Sequence, residues 1–593
     1  MTETAHSPSG GALTCPAVAA PAAPRQQAAA AGELDRLCDE YFALVHTLAP
    51  FTATQLGVSG FDALVADPGR DGALRGARQI ASIEGRLRHI DTGLLDDAGQ
   101  TNAAVLGHLS EAARSDLEQG LWEANASAGR YVSPAAMLFQ SVPAALLRDA
   151  AGVSDYRQRL RRLPGFLDAV TSRYRQAVAD GRDSTQVGIR QAIAQLAAHL
   201  AVAPAADALV TVALPAAVDA AAVRRQLAGI VAGEVRPALR RLLHCLQHDM
   251  LPLGRPDDQV GIRFVPGGDE AYLASLRRHT STSLTPGQVH QTGLDSLAAL
   301  NEEWAELGGR VLGPGDLPAG LARLREDRAL RCVDAGQIVR TVTAALARAQ
   351  AARDQWFPRY DIPDCVVEEI DPAQAGGSAP AYYRPPAAGG LRPGTQYVLT
   401  AGPARRLACE YEALSFHESM PGHHLQIASA QTQPLPAYRR FLDAEMCGYV
   451  EGWGTYGERL ADEMGLYSSD LQRLGMLASD ALRAARLVVD TGMHYYGWSR
   501  AQAVDFMWRN TAATRASAAA EVERCIGWPA HAVAALTGRL EIQRLRRSAE
   551  RELGPCFDIR AFHGTVLGSG AVPLGVLEQL VARWVARTRP GPR

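Results

Sequence analysis

The sequence predicts a mainly α-helical fold with a small β element near residues 365–400. Apolar residues recur at three- and four-residue steps, as in Leu160, Leu163, Leu167 and Val170, which is the spacing of one helix face. Ala, Leu and Arg dominate the long stretches, and these residues form helices readily. Between about residues 360 and 402 the character changes. Val366-Val367, Tyr382-Tyr383 and Tyr397–Leu399 stand between Gly/Pro-rich turns, as short strands do.

Residues 1–33 are rich in Ala, Pro, Ser and Gly and lack a core pattern, so they are expected to be disordered. They make a poor signal peptide. Glu3 sits where positive charge belongs, no apolar segment follows, and Leu13-Thr14-Cys15 is only a faint lipoprotein-like site. Residues 34–360 are expected to form a helical domain and one wall of a cleft, opening with Leu34, Leu37, Tyr41, Leu44 and Val45 on one face. Pro143, Pro164, Pro204, Pro215 and Pro237 suggest bends or boundaries within it. His244 and His248 have a chelating i, i+4 spacing but no evident third ligand. Thr285 and Pro286 read as cap and first residue of a helix. Residues 361–593 are expected to hold the small sheet and a metal site. Gly402-Pro403 is expected to open a helix running through Met420. A further helix spans Asp470–Asp490, with Gly492 placed to break it.

The composition excludes several functions. Net charge is −3, so no basic footprint for nucleic acid exists. No apolar run approaches the ~18 residues of a membrane span. All 60 Lys+Arg residues are Arg, which rules out a Schiff-base lysine and a Walker A lysine. The nine cysteines are scattered without a C-x-x-C; the pattern fits a reduced, cytoplasmic chain with packed thiols. Nothing in the pattern sets an oligomeric state.

The chemistry concentrates in S-F-H-E-S-M-P-G-H-H-L-Q, residues 415–426. Zinc peptidases commonly present two histidines at i and i+4 with a glutamate after the first, which serves as base for the bound water. His417-Glu418 begins that pattern, but the next histidines are His423 and His424. Six or seven residues of unbroken helix span roughly 9 to 10.5 Å, too far for two nitrogens on one ion. Pro421-Gly422 is placed to break the helix and fold one later histidine back. His423 is favoured as the ligand, with His424 as the alternative or a supporting group. Glu451, in E-G-W-G-T-Y-G-E-R-L, is the favoured third ligand; Glu445 and Glu458 compete with it, and Glu458, seven residues on, supports the same face. His494, Tyr495 and Tyr496 are candidate donors to a developing oxyanion, and Arg483 and Arg486 are candidates for a substrate carboxylate.

These residues resemble a large, mostly bacterial family known as domain of unknown function 885, many of whose members are regarded as metallopeptidases. The resemblance is carried by H-E-S-M-P-G-H-H-L-Q (417–426), E-G-W-G-T-Y-G-E-R-L (451–460), R-L-V-V-D-T-G-M-H-Y-Y-G-W (486–498) and F-D-I-R-A-F-H-G-T-V-L-G-S-G-A-V-P-L (557–574). It implies an elongated, mainly helical metallopeptidase-like fold with a central cleft. It also implies a metal held by His417, a histidine after the glycine, and Glu451, with Glu418 as base. R-C-I-G-W-P-A-H-A-V-A-A-L (524–536) departs from the family's pattern at Cys525, Ala530-His531 and Ala535-Leu536, which implies an altered substrate and makes His531 a candidate site group.

The expected function is cleavage of an amide bond in a small peptide or amino-acid conjugate. The expected cofactor is Zn2+, with another divalent metal as the alternative; Glu418, His494 and Tyr496 would be catalytic, and His417, His423 and Glu451 would bind the metal. One rival reading is a metal-dependent tailoring enzyme acting on an amino-acid-derived metabolite. The other is a non-catalytic binding protein on the same scaffold.

Overall fold

The computed structural model describes residues 24–129, 131–315, 317–370, 379–441 and 445–589. The chain is 72% helical with 3% strand, so the mainly α expectation is borne out. No helix among the described residues is long and apolar enough to cross a membrane.

The first helix, α1, spans Pro24–Leu48 and buries Leu34, Leu37 and Tyr41. It therefore begins within the segment expected to be disordered; residues 1–23 of that segment lie outside the described residues. Ala150–Ala179 forms one unbroken helix, α2, that runs through Pro164. That proline is no boundary: the apolar face on both sides of it, Leu160, Leu163, Phe166 and Leu167, is buried in one core, and this packing outweighs the lost hydrogen bond. Gly268–Thr280 forms α3. Pro286–Leu312 forms α4, entered through the expected cap: Thr285 and Gln288 close a capping box with Pro286 at the first position.

Ala335–Trp356 (α5) leads into the sheet. Its strands are β1 (Cys365–Glu369), β2 (Ala381–Arg384) and β3 (Gly394–Val398), where strands were expected. Their order is β1-β3-β2, with β3 parallel to β1 and antiparallel to β2. Gly402-Pro403 opens only a short 3₁₀ turn, Pro403–Arg405. The helix that follows, α6, is Glu410–Glu418, shorter than expected at both ends. Next come α7 (His423–Thr432), α8 (Cys447–Glu463) and α9 (Asp470–His494). Gly492 does not end α9. A Cβ there would meet the Trp498 ring at 2.7 Å, so the glycine makes room for an indole. Arg515–Gly527 (α10) and Ala534–Leu553 (α11) complete the site's surroundings.

The largest core joins Leu34, Leu37 and Tyr41 of α1 to Phe416 of α6, Trp453 and Tyr456 of α8, and Leu574, Leu577 and Val581 near the C-terminus. The boundary expected at 360/361 thus falls within shared packing. The residues of α8 and α11 cross closely through glycines. A Cβ on Gly538 would lie 1.6 Å from the Gly448 carbonyl oxygen, and one on Gly452 would lie 2.6 Å from the Gly538 backbone. Neither helix can retreat without opening the core that holds Trp453. Gly538→Ala is expected to destabilise the fold by about 3 kcal/mol, read as a lower denaturant midpoint with an unchanged slope.

Candidate metal centre

The site is built on a broken helix. α6 stops at Glu418 and α7 starts at His423. The junction leaves helical geometry at Ser419 (φ −108°, ψ −104°) and Gly422 (φ −81°, ψ −128°). Gly422 is required by crowding: a Cβ there would sit 1.9 Å from the His417 carbonyl oxygen. The indole N–H of Trp453, on α8, donates to the Pro421 carbonyl at 2.9 Å and ties the break to that helix. As a result the His417 and His423 rings lie 4.6 Å apart between centroids, at 79°.

α8 delivers the third group. Glu451 approaches His417 Nε2 at 3.5 Å through one carboxylate oxygen and His423 Nε2 at 3.8 Å through the other. Ligand atoms of the three residues all lie within 4.8 Å of one another. These separations are long for hydrogen bonds. They are close to the ligand–ligand edge of about 3.3 to 3.4 Å that tetrahedral bonds of about 2.0–2.1 Å produce. His417 lies flat on α8, where a Cβ on Gly454 would meet its ring atoms at 2.8 to 3.0 Å. The site thus needs glycine one turn beyond its carboxylate.

Each imidazole has a defined state. His417 Nδ1 lies 2.8 Å from Glu458 Oε1, closer than the 3.2 Å to the Arg483 guanidinium, so Nδ1–H donates to Glu458 and Nε2 faces Glu451. Glu458 is itself held by Arg483. A carboxylate behind a histidine is the arrangement that orients a ligand and raises its basicity. Burial opposes charge on His417, but Glu451, Glu458 and Glu418 outweigh it and raise its pKa to about 9. His423 is pushed down to about 4 by burial and by the charge of His417, so it is neutral. Its Nδ1 is buried on the side away from Glu451, where the buried Gln426 amide, one turn on, acts on it. Burial would raise the Glu451 carboxyl, yet the two histidines hold it well below the usual range. Two buried imidazoles and a carboxylate, with ligand atoms within 4.8 Å of one another, fit a divalent cation of zinc type.

His424 is not a ligand candidate here. Its Nε2 bonds the Pro363 carbonyl and its Nδ1 accepts from the Tyr383 hydroxyl, both at 2.9 Å. The structure therefore brings together His417, His423 and Glu451, with Glu418 next to His417 and acting on its charge. Two expected donors stand in other contacts. His494 is fully committed to backbone, since its Nδ1 accepts from the Ile262 N–H at 3.0 Å and its Nε2 donates to the Cys525 carbonyl at 3.0 Å. Tyr496 is 49% exposed and packs on His290 of α4. Arg483 is also spent, on Glu458, Ser479 and the back of His417. His244 and His248 pair ring to ring at 4.4 Å, and no third ligand joins them among the described residues.

Sequence reasoning placed Glu458 on the Glu451 face but missed its bond to His417. It missed Gly454, whose signal is the small residue one turn after Glu451 in E-G-W-G.

The family described as "Bacterial protein of unknown function (DUF885)" matches residues 50–581, and the chain belongs to it. The chain is similar to a candidate lipoprotein from Colwellia psychrerythraea (TM-score 0.85, 23% identity, 95% of this chain and 99% of that one). It is also similar to a candidate lipoprotein of unknown function from Shewanella oneidensis (TM-score 0.71, 17% identity, 93% and 99%). At these identities the likeness shows the fold. No curated protein matches the chain.

Two outcomes are expected. Glu458→Gln lowers metal affinity by about 10- to 100-fold, measured by competition with a chelating dye. For the metal-free protein, the folded pKa of His417 lies above its unfolded value of 6.5. Its contribution to stability is then complete below pH 6.5 and is lost as pH rises through about 9. Thermal melts of metal-free protein should show this loss, and metal affinity should rise across the same window as the competing proton leaves.

Proposed function

We propose that this DUF885 chain is a metal-dependent hydrolase that cleaves an amide bond in a small peptide or amino-acid conjugate. The observation that carries the reading is the convergence of His417, His423 and Glu451 within 4.8 Å, directly followed in sequence by a buried Glu418. His417, His423 and Glu451 would hold the ion, zinc or another divalent metal. When bound, such an ion supplies Lewis acidity toward a carbonyl and acidifies water.

The residues do the rest. Glu418 takes a proton from the attacking water, whose oxygen joins the carbonyl carbon. It returns that proton to the amide nitrogen as the C–N bond breaks, giving an acid and an amine. Glu458 keeps Nδ1 of His417 protonated and Nε2 directed at the site, and Arg483 fixes Glu458. Gly454 allows the ring to stay there. We place the enzyme in a reducing compartment, on the ground that the described cysteines are all free thiols and only Cys556 is exposed.

Glu418→Gln is expected to retain one metal equivalent by elemental analysis while turnover of a peptide library falls about 10²- to 10⁴-fold. Hydrolysis at the wild-type rate by that variant would remove Glu418 from the mechanism, and absence of bound metal from the wild type would remove the reading itself.

A further inference from the structure

A second constellation lies beside the metal centre and takes no part in holding it. Arg486 and Arg524 converge on a single oxygen, Oε1 of Glu521. Arg486 donates through Nε at 2.7 Å, and Arg524 donates through Nε at 2.9 Å and through a terminal nitrogen. Two guanidinium groups share one carboxylate, so the cluster carries a surplus positive charge. It is also reachable: the side chains of Arg486, Arg524 and Glu521 are 21%, 36% and 16% exposed. The terminal nitrogens of Arg486 have no partner among the described residues. Arg524 extends one of its own towards His531 Nδ1 at 3.4 Å. His531 in turn stacks on Trp528, with ring centroids 3.6 Å apart at 11°.

Two independent routes place this cluster against the metal site. Along α9, Arg486 is three residues beyond Arg483, about 4.5 Å further along the axis and on a neighbouring face, and Arg483 touches His417. On the other side, Cys447 lies one turn before Glu451 on α8. Its sulfur contacts His279 Nδ1 at 3.4 Å, and the His279 ring meets the His531 ring edge-on at 5.3 Å. The charges of Arg524, Glu451, Arg486 and Arg278 all act on His531. Glu451 itself is 34% exposed, so its carboxylate, like the cluster, is reached by solvent.

Resting on the amide-hydrolase reading and deepening it, we propose that Arg486 and Arg524 form a carboxylate subsite. It binds the free C-terminal carboxylate of a peptide or N-acyl amino acid, with the His531 ring, backed by Trp528, as its flat wall. A planar guanidinium with an unused edge matches a carboxylate in two-point geometry. Glu521 holds both arginines in place and leaves one positive charge uncompensated. The substrate class is then an amide whose amine half ends in a free carboxylate.

The test uses zinc-loaded, full-length Glu418→Gln protein, which does not consume its ligand, and a library of N-acetyl dipeptides made as free acids and as C-terminal amides. Retention in equilibrium dialysis is read by mass spectrometry. Acids should be retained about tenfold or more over their amides, the size of a charge-assisted hydrogen-bond pair. Adding Arg486→Gln or Arg524→Gln should abolish that ratio while bound zinc stays at one equivalent. Equal retention of acids and amides, retention of neither, or a ratio that survives Arg486→Gln overturns the proposal. Amides ending in Glu or Asp held as well as the acids overturn the C-terminal assignment in favour of a side-chain carboxylate. Wild-type cleavage is followed in parallel. An acid preference without cleavage counts against the hydrolase reading alone and leaves the carboxylate subsite standing.

Discussion

Two imidazoles six residues apart cannot share an ion while the helix between them stays intact, and the architecture around the site answers that constraint. The chain leaves helical geometry at Ser419 and resumes it at His423. Such a break exposes backbone groups that would otherwise be bonded within the helix. They are recovered locally: the Ser419 N–H reaches the Ser415 carbonyl, the His424 N–H reaches the Ser419 carbonyl, and Trp453 caps the Pro421 carbonyl. Trp453 is fully buried and belongs to the core that binds the first helix to the last ones. The break is thereby held by long-range packing.

A second consequence is electrostatic. Bringing histidines and glutamates into the interior is costly unless each charge is paired. The partners run outward in a line from the metal group. Glu458 backs His417, Arg483 backs Glu458, and Asp480 lies one turn before Arg483 with Arg459 and Arg539 as its partners. Asp480 is held at about 2 by those arginines despite burial. Arg459 then reaches Glu303 at the surface. The negative charge of Glu458 and Asp480 is thus balanced by arginines that approach from behind, while Glu451 faces His417 and His423.

The parts of this arrangement that were legible in the sequence were those set by local periodicity. Thr285-Pro286 announces a helix start because capping is a property of adjacent residues. Val366-Val367 and Tyr382-Tyr383 announce strands because β-branched and aromatic pairs between turns favour them. His417, Pro421-Gly422 and His423 could be assembled because one number, the helical rise, forbids the straight alternative. The parts that were not legible depend on partners distant in sequence. Nothing near His494 says that its ring will bridge Ile262 and Cys525, 232 and 31 residues away. Backbone partners leave no residue-type signature. Gly492 reads as a helix breaker for a related reason, because whether a glycine ends a helix or admits a neighbour depends on the ring of Trp498.

The role His494 does have explains the shape of the neighbouring surface. With Asp490, one turn earlier on α9, it fixes the last turn of α10 and the segment that follows. His494 holds the Cys525 carbonyl, while both carboxylate oxygens of Asp490 accept from the Ala530 N–H and one also accepts from the Tyr272 hydroxyl. Ala530 has a positive φ of 64°, a conformation that costs a residue with a Cβ on the order of 1 kcal/mol. Burial raises the Asp490 carboxyl to about 7 against these hydrogen bonds, so the pin itself is held under electrostatic cost. The hydrogen bonds of Asp490 hold the Ala530 backbone in this turn, and the next residue, His531, lies flat on Trp528. A histidine that reads in sequence as a catalytic donor thus spends both ring nitrogens on backbone, where it ties α9 to Ile262 and to the last turn of α10.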